Sequence, residues 1–330
     1  MSVTITTFRD DIKWIDVSLP CGIKARLCNY GASVYSLSLD NSPLILSLKD
    51  EEEFLNCPQY YGKTLGRVAG RIPGIVNIEG KDYTLKNAKS YSYALHGGDD
   101  TSLSFKTWDV KTKESFGKTI VSFSIVDPDM ENGFPGKATI KVNYIFYNKK
   151  AKLRIEFNGK ANKDTLMNLS NHMYWNFNHD KDISEYKLKM NCSHYGDVDE
   201  TVFIKETKSV PNELDFRRAT KLGKNLEILE KNSFLKTIDN TFLFDKVQTR
   251  KPQVILKSKD INLKLYTSFP AMNIYVDNSM TPVKFVNKED LMKRRGIALE
   301  PQLYNHEFDS LRLKKGDKFN HFILYKFKKN

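Results

Sequence analysis

Short segments that alternate apolar and polar residues follow one another along this chain, and little between them has a helical period. Ile120-Val-Ser-Phe-Ser-Ile-Val126 spaces β-branched and aromatic residues as a sheet requires, and Ala138–Tyr147 does the same. Asn148-Lys149-Lys150 then reads as a turn. Lys152-Leu-Arg-Ile-Glu-Phe157 alternates charged and apolar residues, as a strand with one wet face should. The pattern returns in Val254-Ile-Leu256, Asn262-Leu-Lys-Leu-Tyr266, Asn273-Ile-Tyr275, Ile297-Ala-Leu299 and Phe322-Ile-Leu-Tyr-Lys-Phe327. Only Asp50–Leu55 and Leu226–Glu230 suggest helix, each a short one. There is no solenoid or propeller period, no low-complexity tract and no linker. The expectation is an all-β protein, a large antiparallel β-sandwich in which residues 1–330 form a single domain.

Bulk properties exclude several functions. The formal net charge is +12, but the basic residues fall in small groups such as Lys149-Lys150, Lys293-Arg294-Arg295 and Lys328-Lys329. That scatter suits a solvated surface, and no nucleic-acid motif accompanies it. No apolar run is long enough to span a membrane, and no secretory signal is expected from the N-terminal residues. The four cysteines form neither a CxxC pair nor a disulfide framework, so a cytoplasmic protein with reduced thiols is expected. No Walker loop, dinucleotide-binding glycine pattern, nucleophile elbow or zinc-ligand spacing occurs.

The chemistry concentrates elsewhere. Asn168-Leu-Ser-Asn-His172-Met-Tyr-Trp-Asn-Phe177, taken as a strand, sorts into two faces. Leu169, Met173, Trp175 and Phe177 point to a core. Asn168, Ser170, His172, Tyr174 and Asn176 make a face that suits a neutral, hydroxyl-rich ligand, or else a core strand whose histidine is satisfied by its neighbours. Gly66-Arg67-Val-Ala-Gly70-Arg71 sets two arginines among small residues, either for a ligand's hydroxyls or as a salt-bridged turn. Leu95-His96-Gly97-Gly98 is a histidine at a turn. Glu300 ends the apolar run Gly296–Leu299, where partial desolvation tunes a carboxylate towards general base, unless it is simply a charged strand end. Asp239 has a similar strand-edge setting.

In their order along the chain these segments resemble the galactose mutarotase, or aldose 1-epimerase, family. The resemblance is carried by Asn29-Tyr-Gly-Ala-Ser33, Tyr61–Ile72, Leu95–Gly98, Gly133-Phe-Pro-Gly136, Asn168–His172, Leu214-Asp-Phe-Arg217, Asp239-Asn-Thr-Phe242 and Ala298-Leu-Glu300-Pro-Gln302. It implies a β-supersandwich with an open groove, no cofactor and no metal. It implies a small-molecule sugar as partner, with neither nucleic acid nor membrane, and a monomer or homodimer. The implied activity is interconversion of the α and β anomers of galactose or glucose, with Glu300 as base and His172 as acid. Arg71 and His96 would hold the sugar, Asp239 would bind hydroxyls, and Gly70 and Asn273 would lie beside them. A carboxylate neighbour is expected to keep His172 charged at neutral pH. Four positions depart from the family: Gly70 replaces an asparagine, Asn273 a glutamine, Asn240 a histidine, and Tyr304-Asn-His306 a Tyr-Pro-Asp turn. All four are expected near the sugar. The alternatives are a hexose-6-phosphate 1-epimerase, a glycoside hydrolase using Asp239 and Glu300, and a non-catalytic sugar-binding or regulatory protein.

Overall fold

A nine-stranded antiparallel sheet forms the backbone of the structure. From edge to edge it runs Asp109–Ser115, Lys118–Asp127, Ala138–Tyr147, Lys152–Ala161, Phe319–Lys329, Ile261–Thr267, Val254–Lys257, Lys187–Met190 and Thr220–Lys221. The computed structural model describes residues 2–87, 92–179, 182–278, 283–286 and 293–330. Strict alternation makes the central strands: along Lys152–Ala161 every second residue is buried, from Leu153 through Ile155 and Phe157. Apart from the segment 168–177, the strands expected from residue 120 onward are present, several of them longer than the sequence signal.

A six-stranded antiparallel sheet carries the functional residues. Its order is Tyr174–Trp175, Ile297–Gln302, Ala271–Val276, Asp239–Leu243, His194–Val198 and Ile204–Ser209. Ile297, Leu299, Met272, Ile274 and Phe242 join one apolar core with Phe157, Leu263, Leu265, Ile323 and Tyr325 of the larger sheet. Trp175 fixes that packing, its ring centroid 4.8 Å from Tyr325. Two sheets facing across such a core make the expected supersandwich.

A third sheet, which the sequence did not announce, occupies the N-terminal region: Ser2–Arg9, Ile12–Ser18, Ile23–Cys28, Ser33–Leu39 and Ser42–Pro43. The two helical signals correspond to Glu51–Asn56, capped by Asp50 accepting from the Glu53 amide, and Leu222–Asn232. All four cysteines are free thiols, three of them buried. Among the described residues no helix is long and apolar enough to cross a membrane.

Candidate active site

Strand alternation builds the floor of the site. Ala298, Glu300 and Gln302 share one face of their strand, as do Asn273 and Tyr275, and Asp239 and Thr241, on the next two. Antiparallel register aligns them in rows: Glu300 pairs with Asn273, which pairs with Thr241, and Ala298 pairs with Tyr275, which pairs with Asp239. The strand Ile297–Gln302 is buried along its whole length, one face on the core and the other beneath a cavity of about 320 Å³.

Gly70, Arg71, His96, His172, Asp239, Asn273 and Glu300 all line that cavity, so the seven residues that the resemblance implied for the site come to one place. His172 Nε2 lies 3.5 Å from Glu300 Oε1. Asn273 bridges the two carboxylates, its Nδ2 lying 3.4 Å from Asp239 Oδ1 and 3.5 Å from Glu300 Oε1. Arg71 donates to Asp239 at 3.1 Å. The Gly70 amide donates to His96 Nδ1 at 3.0 Å, which leaves the proton of a neutral ring on Nε2. Gly97 is fixed by sterics: its φ is +87°, and a Cβ there would fall 2.1 Å from the Arg67 amide nitrogen.

The electrostatics depart from expectation. Burial, reinforced by Asp239, raises the Glu300 carboxyl to about 8, against smaller lowering by Asn273 and Arg71. Burial lowers His172 to about 4, although Asp239 acts in the opposite direction. His96 is held well below its ordinary value by burial, then by His172 and Arg71. His172 is therefore not the imidazolium expected from the sequence, because the loss of water outweighs the attraction of nearby carboxylates. Tyr60, Tyr174 and Tyr275 surround it with ring centroids at 6.0, 4.8 and 6.5 Å. Burial thus pushes both groups towards their neutral forms, a carboxylic acid at Glu300 and a free imidazole at His172.

Other expectations need correction. The stretch 168–177 is not one alternating strand. It breaks into Ser170–Asn171 and Tyr174–Trp175, with both faces buried. Only His172 and Tyr174 of its polar set reach the cavity. Asn168 instead grips the segment after Glu300, accepting from the Leu303 amide at 2.9 Å and donating to Asn305 Oδ1 at 2.8 Å. Ser170 donates to the Pro301 carbonyl at 2.9 Å. Of the four departures, Gly70, Asn273 and Asn305 line the cavity, but Asn240 does not. It alternates to the opposite face from Asp239 and donates towards the Gly196 carbonyl at 3.4 Å. Lys293-Arg294-Arg295 is not a solvated cluster: Arg294 pairs with Glu230, and Arg295 is buried against Asp277. Tyr60 was not legible as a site residue. Its ring meets the His96 ring at 4.6 Å, yet nothing local distinguishes it from Tyr61, which turns into the core.

By residue type, His96, His172 and Glu300 could hold a transition metal. Their nearest ligand atoms lie within 4.8 Å of one another. Donors around a tetrahedral ion sit closer, about 3.4 Å apart. A polyol needs no such convergence.

The matches with known proteins agree with this geometry. The family model for aldose 1-epimerase matches residues 15–326. Galactose mutarotase from Rattus norvegicus is 27% identical over 321 residues, covering 91% of this chain and 90% of its own. Aldose 1-epimerase from Haemophilus influenzae is 28% identical over 292 residues, covering 85% of this chain and 83% of its own. The crystal structure of galactose 1-epimerase from Lactobacillus acidophilus NCFM superposes with a TM-score of 0.89 at 23% identity, covering 100% of this chain and 99% of that one.

Proposed function

From the premise that this chain belongs to the aldose 1-epimerase family, we propose that it is a mutarotase acting on free hexoses, galactose or glucose. One observation carries the residue assignment: Glu300 and His172, both buried, meet at 3.5 Å in a cavity with several spare hydrogen-bonding groups.

Opening a pyranose requires removing the proton of the C1 hydroxyl and delivering one to the ring oxygen. Glu300 as carboxylate takes the first, and His172 as imidazolium gives the second. The C1–O5 bond breaks and C1 becomes an aldehyde. The pair is left as a carboxylic acid and a neutral imidazole, the same tautomer that burial favours in the empty site. Rotation about C1–C2 presents the other face of the carbonyl. Closure returns the O5 proton to His172 and transfers the Glu300 proton to the carbonyl oxygen. A closed sugar therefore meets the pair in the opposite tautomer from the one it needs. Hydrogen bonding of the anomeric hydroxyl to Glu300 supplies the stabilisation that moves the proton across to His172. Arg71 and the Nε2–H of His96 supply positive potential for the oxygens that gain charge.

The cations at 293–295 are not among the described residues lining the cavity, so they lend no support to a 6-phosphate substrate. Polarimetry of freshly dissolved α-galactose and α-glucose tests the proposal, with wild type beside Glu300→Gln and His172→Asn. Wild type should accelerate mutarotation, each variant should lose about 10²–10⁴-fold while remaining folded, and millimolar phosphate should not compete. A wild-type protein that binds sugar without accelerating anomerisation would reduce the function to sugar binding. Release of new reducing ends from an aryl glycoside would replace it with hydrolysis.

A further inference from the structure

Gln302 lies two residues beyond Glu300 on the same strand face and is 1% exposed. Among the described residues its carboxamide has no hydrogen-bond partner, and Oε1 is fully enclosed. The neighbouring buried amides behave differently. Asn168 holds Leu303 and Asn305, Asn171 donates to the Gly62 carbonyl and the Tyr144 hydroxyl, and Asn305 donates to the Ala69 and Arg71 carbonyls. Those three are occupied in holding backbone. Gln302 holds nothing, although burying an unpaired carboxamide is costly.

Two small residues lie beside it. Its cross-strand partner is Ala271. Across the cavity, a Cβ on Gly70 would lie 3.3 Å from Gln302 Nε2 and 2.5 Å from Asn305 Nδ2. Gly70 adopts φ +79°, which L side chains rarely take. The glycine thus keeps its own side chain off the Gln302 amide, and Gly70, Gln302 and Asn305 all line the cavity.

We infer that Gln302 is a further sugar-binding residue, whose carboxamide hydrogen-bonds a hydroxyl on the C2–C3 edge of the aldose through the opening that Gly70 leaves. The inference rests on the mutarotase reading for its choice of ligand. Two residues of strand separate Gln302 from Glu300 by about 7 Å, which one hexose ring with its hydroxyls can bridge. With Glu300 at the anomeric hydroxyl and His172 at the ring oxygen, the edge left for Gln302 carries the C2 and C3 hydroxyls.

The experiment compares wild type with Gln302→Met, which keeps the volume and removes both polar atoms, and with Gly70→Ala. Mutarotation is followed for α-glucose and its 2-deoxy, 3-deoxy and 6-deoxy analogues, with melting curves recorded with and without sugar. Gln302→Met should melt no lower than wild type in the absence of sugar, since no bond within the protein is lost. Its KM for glucose should rise about 10-fold while kcat stays within a few-fold. That rise should vanish for the 2-deoxy or the 3-deoxy sugar and persist for the 6-deoxy sugar. Gly70→Ala, where it folds, should raise KM in the same pattern. An unchanged KM for glucose, or an equal rise for all four sugars, overturns the inference, and so does a large loss of stability without sugar. Were wild type inert in mutarotation, the proposed function would fail separately. The inference would then be decided by whether glucose stabilises wild type against heat and fails to stabilise Gln302→Met.

Discussion

Arg67 and Arg71 stand four residues apart in one motif and have opposite fates. Arg67 is 1% exposed and fully employed. It donates to Asp127 through Nε and Nη2, to the Pro135 and Gly136 carbonyls and Thr165 through Nη1, and to the Pro128 carbonyl. Lys106 reaches the same Asp127 at 2.8 Å. Arg71 donates to Asp239 alone among carboxylates and keeps a buried Nε with no partner. Residue type did not separate a structural arginine from a cavity-lining one; unused hydrogen-bonding capacity does. Glu300 Oε2 and Gln302 Oε1, buried and unpartnered in the same cavity, belong with Arg71.

Substitution should split the two arginines apart. Arg67→Met leaves buried Asp127 with Lys106 as its remaining cation and takes the donor from the Pro128, Pro135 and Gly136 carbonyls, and should cost about 3–5 kcal/mol of folding stability in a denaturant titration. A well-folded Arg67→Met protein would break the distinction at its structural end. Arg71→Met should fold and bind sugar weakly, with kcat lower by about 10²–10³. It should also move the alkaline limb of activity upward, since Arg71 lowers the Glu300 carboxyl while Asp239 raises it. An Arg71→Met enzyme with wild-type kcat would remove Arg71 from the reaction.

Glu300 offers a smaller test that needs no substrate. Its folded-state value, about 8, stands above the ordinary 4.5. The unfolded chain therefore gives up this proton first as pH rises. The contribution of Glu300 to stability is fully present below 4.5 and is lost on the way up to about 8. Glu300→Gln escapes that loss. Relative to wild type it should gain on the order of 3 kcal/mol between pH 5 and pH 8 in chemical denaturation. A difference that does not change with pH would mean that the carboxyl is ionised in the folded protein.

Much of this was legible in the sequence, for identifiable reasons. Strands such as Lys152–Ala161 alternate because one face meets the core and the other meets water. In the N-terminal sheet the edge strand Ser2–Arg9 is exposed along nearly its whole length and gave no apolar face to read, whereas Ile12–Ser18, Ile23–Cys28 and Ser33–Leu39 do carry buried alternate residues. The segment 168–177 misled because alternation assumes one wet face, whereas here both are buried and Asn168 and Ser170 serve the segment after Glu300. Asn240 was placed beside the sugar by proximity to Asp239 in sequence, where strand geometry sends successive side chains to opposite faces. The charge on His172 could not be read at all, because it is set first by burial, among rings that include Tyr60, Tyr174 and Tyr275 from separate segments, and then by Asp239 and Arg71.

The central claim is that one proton, shared between Glu300 and His172, opens and closes the ring. The most direct test is the pH dependence of kcat/KM for mutarotation of α-glucose from pH 3.5 to pH 9.5. The account predicts a broad plateau that falls above about 8, where the pair loses its proton, and below about 4, where it gains a second. Activity that keeps rising through the alkaline limit, or a plateau left unchanged by Glu300→Gln, would contradict it.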